Sequence, residues 1–505
     1  MDRQGSLDRI KTREKPWDII VIGGGATGIG CALDAAARGL DVLLLEQSDF
    51  GKGTSSRSTK LIHGGVRYLE QGDISLVREA LRERGLLLKN APHVVHKLPF
   101  IVPCYSTWQK IYYGVGLKIY EVLAGKYRLG KSQILSRSET IERLPEITTK
   151  GLRGGVLYFD AQFDDARLLI DLAITANKNG ACLLNYAKVT AIKRNANSRI
   201  TGVDFLDNEN SETVSADAKV VINAAGPFSD NVRKLAKPDA KNSLELSQGT
   251  HLVFKQKGSP VRSAMLIPKT SDNRVLFAIP WHKHLLVGTT DTPVHIATLE
   301  PKPLDAEIDF ILKTLNQYVT RPLSRSDILS AFTGIRPLVR SGNNRNTSRL
   351  SRGHLIRIDP SGLITIIGGK WTTYRQMAED AVDHAVSRGD LSATRCRTQD
   401  LKIENAEQGA KADLIANNKK LSERLHADLP YTKADVVFAV RNEIAVTIED
   451  VLARRTRALF LDAHAAIQMA STVAEIMAAE RDKGNEWIME QLAEFAAIAK
   501  NYLPK

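Results

Sequence analysis

The sequence predicts an α/β protein in which a dinucleotide-binding domain is interleaved with a β-rich domain and followed by a helical C-terminal domain. Three observations carry this expectation. A βαβ phosphate-binding fingerprint occupies Asp18 to Glu46, strand-like runs fill His251 to Thr290, and Thr432 to Leu503 is almost continuously helical in pattern and rich in Ala, Glu and Arg. A chain of 505 residues exceeds one typical hydrophobic core, so several domains are expected.

The fingerprint reads DIIVIGGGATGIGCALDAAARGLDVLLLE. An apolar strand meets Gly23-x-Gly25-x-x-Gly28, a small-residue helix runs to Gly39, a second apolar strand follows, and an acid closes the unit at Glu46. Gly23 serves the tight turn, Gly25 lets backbone N–H groups approach a pyrophosphate, and Gly28 lets the helix lie close to the sheet. Ala26 and Thr27 open the helix, whose N-terminus favours negative charge, and Glu46 is placed to accept ribose hydroxyls. The unit is Rossmann-like. A second such fingerprint, as a nicotinamide dinucleotide would require, is not apparent.

Just beyond the second strand, FGKGTSSRSTKLIHGGVRYLE places Thr54, Ser55, Ser58, Thr59 and Lys60 where a bound dinucleotide would run. His63 then precedes two glycines, with Arg67 and Tyr68 close behind. Residues 73 to 90 have helical periodicity. Gln109 to Arg128 mixes Ile, Tyr and Leu with Lys110, Lys118, Lys126 and Arg128, as an amphipathic surface helix or an ordinary packed helix would. Asp165 to Asn179 is helical with a glycine stop, and Val220 to Asn223 leads into Ala225 and Gly226, a small-residue strand end that permits close approach to a cofactor. In Leu363 to Arg375 a strand feeds a helix beginning near Trp371, after Gly369 and Lys370, so that Trp371 and Thr372 sit where free N–H groups can face a ligand. Thr447 and Asp450 have capping-box spacing.

Composition narrows the partners. Four widely separated cysteines form no metal-ligand spacing, so no metal is expected and a reducing compartment is. No run of about eighteen apolar residues exists, and the N-terminus lacks a secretory h-region. A net charge of +13 favours an anionic partner, but no basic run with interleaved aromatics suggests a nucleic-acid groove.

The stretches VIGGGATGIGCALDAAARG and GTSSRSTKLIHGGVRYLE, with DDARL, VINAAGPF, GTTDT, GIRPL and GGKWTTYR in order along nearly the whole chain, resemble the FAD-dependent glycerol-3-phosphate dehydrogenases. GGKWTTYR is closer to the mitochondrial type, although no EF-hand pattern stands at the C-terminus, so no calcium response is carried over. The resemblance implies FAD as cofactor, oxidation of sn-glycerol 3-phosphate to dihydroxyacetone phosphate, and transfer of electrons to a membrane quinone. Electrons bound for a quinone need access to the bilayer, and no apolar run is long enough to span it. A peripheral contact with an anionic membrane surface is therefore expected, on the inner face of the cytoplasmic membrane in a bacterium. Gln109 to Arg128 is the leading candidate for that contact and the helical tail from Thr432 the runner-up. A homodimer is a further expectation. Glycerol-3-phosphate oxidase, an FAD-dependent amine or amino-acid oxidase, and an FAD-containing nucleic-acid-binding protein are the alternative readings.

A dianionic phosphate needs fixed cations, for which Arg67, Arg336 and Lys370 are candidates, with Tyr68 and His251 as further substrate contacts. Alcohol oxidation also needs a proton acceptor. His63, His251 and Lys370 stand open as that group, and Arg336 as the group that polarises the C2 oxygen. The expected division is a charged lead-in at 1–16, an FAD-dependent region at 17–393 and a helical domain at 394–505. Cofactor-binding parts are expected near 17–95, 150–240 and 331–393, and substrate-domain parts near 96–149 and 241–330.

Overall fold

The computed structural model describes residues 1–66, 69, 72–256, 263–272, 274–340 and 353–504. Arg67 and Tyr68 therefore lie outside the described residues.

Two sheets organise the molecule. In the first, Trp17–Ile22 lies between the parallel strands Val42–Leu45 and Glu212–Asn223, in register so that Ile22 stands beside both Leu45 and Asn223. Cys182–Leu184 extends one side and Ile364–Gly368, then His354–Ile358, the other. Near-continuous Ile, Val and Leu make these strands, as burial on both faces requires. The helix Ala26–Ala37 covers one face with Ala32, Ala35 and Ala36, which let Tyr374–Gly389 pack against it.

The second, ten-stranded sheet is built around Leu244–Lys255, which pairs antiparallel with Ile328–Val339 over its length and with His284–Gly288 on its other side. Leu276–Trp281, Ala264–Ile267, Val95–Cys104 and Gly154–Phe163 continue it. Grouping by sheet differs from the sequence expectation at three places. Leu61–Ile62, Gly154–Phe163 and Ile328–Val339 belong to the second sheet, although the first two and most of the third fall within the ranges 17–95, 150–240 and 331–393 expected to bind the cofactor. Alternation along a strand does not say which sheet it joins.

The charged lead-in folds as the helix Arg3–Lys11, burying Leu7 and Ile10 against the first sheet and pairing Arg3 with Asp207. The C-terminal region packs Lys433–Glu443, Ala463–Glu480 and Asn485–Ala499 around a core of its own, with Val253 and Phe332 of the second sheet joining it. Thr447 and Asp450 form the expected reciprocal cap, and a wide-turned helical segment, Asp450–Arg455, follows it.

Candidate active site

A cavity of about 680 Å³ opens at the C-terminal ends of the first sheet's parallel strands, the position where open α/β sheets bind ligands. Twelve of the expected residues line it: Gly23, Gly25, Ala26, Thr27, Glu46, Thr54, Ser55, Ala225, Gly226, Gly369, Lys370 and Trp371. Gly23 has φ +112°, and a Cβ there would lie 2.6 Å from the Ala224 carbonyl oxygen. Gly28 stands behind the turn, where a Cβ would come within 1.8 Å of the Gly23 carbonyl. The adjoining strand end at Ala224 therefore excludes a side chain at Gly23, and the packing of helix on turn excludes one at Gly28.

The helix Ala26–Ala37 begins at Gly25 without a side-chain cap, and Ala26 N–H is taken by Ser55 Oγ at 3.0 Å. The remaining first-turn donors suit a pyrophosphate. The Glu46 carboxylate is fixed by the backbone N–H groups of Gly24 at 2.5 Å and Ser48 at 2.9 Å. Burial raises its pKa above the ordinary carboxylate value despite these two donors. On the opposite wall Trp371 Nε1 donates to the Ser55 carbonyl at 2.7 Å, joining the strand end after Ile367 to the first cofactor loop. The cradle, the open helix N-terminus and the anchored acid fit an adenine dinucleotide.

Four of the other expected residues face elsewhere. Ser58 Oγ and Lys60 Nζ both bond Asp165, each at 2.7 Å, and Lys60 also donates to the Ser56 carbonyl. Burial draws the Lys60 pKa down to about 7. Thr59 Oγ1 meets His251 Nε2 at 2.9 Å, and Thr372 Oγ1 donates to the His63 carbonyl at 3.3 Å.

One face of the second sheet brings together two of the expected substrate residues, His251 and Arg336, while Lys370 lines the cofactor cavity. Phe332, His251, Gly288 and Phe277 stand opposite one another on adjacent strands, and directly paired residues share a face. His251 stacks on Phe332 at 4.9 Å, and His63 lies 6.5 Å from Phe277 at the other end of the row. Gly288 is required between them, since a Cβ there would meet the His251 ring at 2.3 Å. Arg336, four residues beyond Phe332 on the same strand and face, donates to Thr289 Oγ1 at 3.0 Å and to Asp291 at 3.4 Å. A Cβ at Gly249 would lie 2.3 Å from its guanidinium. Arg336 precedes Pro337, which lines the dinucleotide cavity. Burial, then the charges of Lys60 and Arg336, hold the His251 pKa well below its ordinary value, so the ring is neutral near pH 7. Its Nδ1 is buried and has no hydrogen-bond partner among the described residues.

Residues 18–375 match the FAD dependent oxidoreductase family, and residues 364–486 match the C-terminal domain of alpha-glycerophosphate oxidase. A mitochondrial glycerol-3-phosphate dehydrogenase of Arabidopsis thaliana is 40% identical over 97% of this chain and 86% of its own. The Homo sapiens mitochondrial enzyme is 40% identical over 94% of this chain and 72% of its own. The chain belongs to the FAD-dependent glycerol-3-phosphate dehydrogenases. The glycerol-3-phosphate dehydrogenase from Bacillus halodurans, solved with FAD, superposes with a TM-score of 0.79 at 29% identity, covering 99% of this chain and 98% of that one. L-alpha-glycerophosphate oxidase from Mycoplasma pneumoniae shares the fold, with a TM-score of 0.59 at 19% identity over 77% of this chain and 98% of its own. Membership accounts for the fit of the cavity to FAD.

Sequence reasoning missed the clamp outside the cofactor loop. Lys52 lines the cavity and pairs with Glu449 of the C-terminal domain at 2.5 Å. Asp49, fully buried, is bonded by Arg454 and, at 2.7 and 2.9 Å, by Arg455. Arg457 reaches Asp165 at 3.2 Å and the Ser56 carbonyl at 2.9 Å. The signal was present as three arginines in LARRTRALF, inside an otherwise apolar run.

Proposed function

We propose that the protein oxidises sn-glycerol 3-phosphate to dihydroxyacetone phosphate, with the electrons passing to a membrane quinone. The observation that carries this reading is the row on the second sheet, where Arg336 and two imidazoles share one face beside the dinucleotide cavity. Bound FAD supplies the acceptor for the C2 hydride and the route by which the two electrons leave.

The chain's own groups do the rest. Arg336, held in place by Thr289 and Asp291, and Lys370, at the cavity wall, offer cations to the substrate's phosphate, with Arg67 as a third. His251 is neutral at working pH and keeps a free ring lone pair when Nε2–H donates to Thr59, which qualifies it to receive the C2 hydroxyl proton. His63 is the other candidate. Thr59 then sets the His251 tautomer.

Anaerobic mixing of the holoenzyme with glycerol 3-phosphate tests the reading. The oxidised-flavin absorbance is expected to bleach at once and to return on addition of a quinone. Bleaching by an amino acid and not by glycerol 3-phosphate would overturn the substrate, and peroxide formed in air at the full turnover rate would make oxygen the acceptor.

The helix Thr107–Leu123 supports a peripheral membrane contact, which in a bacterium would be with the inner face of the cytoplasmic membrane. Leu117 and Tyr120 are buried, while Trp108, Ile111, Tyr112, Val115, Ile119 and Val122 form an outward stripe at helical spacing. Trp108, Val115 and Val122 are 71%, 57% and 69% exposed. Lys110 and Lys118 lie on the same helix and Lys126 and Arg128 just beyond it, with Lys118 and Arg128 paired to Glu121, so the segment keeps a net positive charge that suits anionic lipid. Among the described residues no helix is long and apolar enough to cross a membrane.

A further inference from the structure

The outward-facing helix reaches the reactive face through one peptide unit. Tyr120, on the inner side of Thr107–Leu123, accepts the Gly64 N–H at 2.8 Å and donates its own hydroxyl proton to Asp160 at 2.9 Å. Asp160 is buried and paired with Arg84 at 2.7 Å, so the phenol is fixed from behind. Its ring is 6.3 Å from Tyr158 in an edge-on contact and 3% exposed. The carbonyl half of the same peptide unit belongs to His63, and it accepts the Thr372 hydroxyl at 3.3 Å. Thr372 directly follows Lys370 and Trp371, which line the cofactor cavity.

A single peptide plane is therefore held at its N–H by the amphipathic helix and at its C=O by the cofactor segment. His63 projects from that plane toward Phe277. Approach this close requires glycine at position 64, because a Cβ there would lie 2.5 Å from both Tyr120 Oη and Leu81 Cδ2. Tyr120 is carried on the helix whose outer face is exposed. Its neighbours Ile119 and Val122 point outward, and Glu121 is tied to the Ser132 N–H at 2.8 Å. A satisfied buried hydrogen-bond network rigidifies the groups it joins, so the Tyr120 ring, the Gly64 peptide and Asp160 are held as one unit.

We propose that Tyr120 is a positioning residue that couples the seating of Thr107–Leu123 on an anionic bilayer to the orientation of the His63 imidazole and the Trp371–Thr372 turn. The coupling rests on the membrane contact proposed above; the grip on the Gly64 peptide does not. Charge complementarity argues for the bilayer as occupant, since the stripe is apolar and its segment carries Lys110, Lys118, Lys126 and Arg128 against the one acid Glu121.

Tyr120→Phe in the full-length holoenzyme tests this, because it keeps the ring and removes the bond to Gly64. Three quantities are read: FAD content, sedimentation with phosphatidylglycerol-containing vesicles, and kcat and KM for glycerol 3-phosphate with a soluble dye acceptor, with and without vesicles. FAD content and sedimentation are expected to match the unsubstituted enzyme. In solution kcat/KM is expected to fall about tenfold, chiefly in kcat. Vesicles are expected to change kcat/KM of the unsubstituted enzyme and to leave the variant's unchanged. Thr372→Val, which frees the other end, is expected to give a similar loss, with no further loss in the double variant. Unsubstituted-level kcat/KM in Tyr120→Phe would overturn the positioning role. An equal vesicle response in both proteins would overturn the coupling. If the unsubstituted enzyme fails to sediment, the membrane contact and the coupling both fall, while the solution kinetics still decide the grip. Should Tyr120→Phe lose flavin, Thr372→Val decides, and normal kcat/KM in that variant overturns the proposal.

Discussion

Replacing Glu46 separates its two duties. The carboxylate accepts Gly24 N–H at 2.5 Å and Ser48 N–H at 2.9 Å, and it also lines the cavity where FAD's ribose would lie. Glu46→Gln keeps the length and one carbonyl oxygen but loses the charge, whereas Glu46→Ala removes every acceptor. A hydrogen bond to a charged group contributes about 1.5–3 kcal/mol, and about 1.4 kcal/mol is tenfold, so the FAD Kd is expected to rise roughly tenfold in Glu46→Gln and about a hundredfold in Glu46→Ala. Glu46→Ala also leaves the Gly24 donor without its acceptor and should lower the apo-protein's Tm. Titration of apo-protein with FAD, followed by quenching of flavin fluorescence, measures both constants. The pH dependence supplies a second reading. Burial raises the Glu46 pKa above its usual 4.5, so FAD affinity should fall as pH drops through that raised value and the carboxylate protonates. The apo-protein's stability should run the opposite way, because a carboxyl with a raised folded pKa costs stability as pH rises past it. An unchanged Kd for Glu46→Gln across this range would refute the charge-assisted contact.

Arg336→Ala is expected to reduce kcat/KM for glycerol 3-phosphate far more than for glycerol, and equal losses would point to damage of the fold or flavin site. Asp49→Asn weakens a fully buried acceptor of two arginines, a break of the kind that costs about 3–5 kcal/mol, so calorimetry should show a lower Tm and flavin should leave before the chain unfolds; an unchanged Tm would remove the clamp from the account. His251 has a folded pKa below its usual 6.5, so it contributes stability above 6.5 that is lost as pH falls toward the depressed value. His251→Gln should flatten part of the decline in Tm below pH 6.5, and an identical decline would mean that the ring protonates in the folded protein. Changing Lys110, Lys118 and Lys126 together to Glu should abolish salt-sensitive sedimentation with anionic vesicles, and undiminished binding with intact flavin would move the contact to another surface.

The dinucleotide site was legible because its signals are local. Strand, glycines, helix and acid lie within thirty residues, and the steric demand behind Gly23 and Gly28 is set by neighbours in the same βαβ unit and the adjoining strand end at Ala224. Tertiary placement alone turned Ser58 and Lys60 away from the cavity toward Asp165, and Thr59 toward His251. Their sequence position beside the fingerprint could not show which carboxylate or imidazole would be buried against them. Arg336 and His251 reached one face only through the register of Ile328–Val339 on Leu244–Lys255, and a one-residue slip would have put either on the other side.

By itself, then, the sequence determined the parallel nucleotide-binding core, the β-rich second domain, the helical tail and the family, since each follows from periodicity or from motifs of contiguous residues. Only the tertiary structure decided that the tail's Arg454, Arg455 and Arg457 clamp the cofactor loop and that Tyr120 holds the Gly64 peptide. Buried charges and backbone donors find partners across 401 and 56 residues of chain in these two cases, and a pairing so distant is fixed by packing, where no local pattern records it.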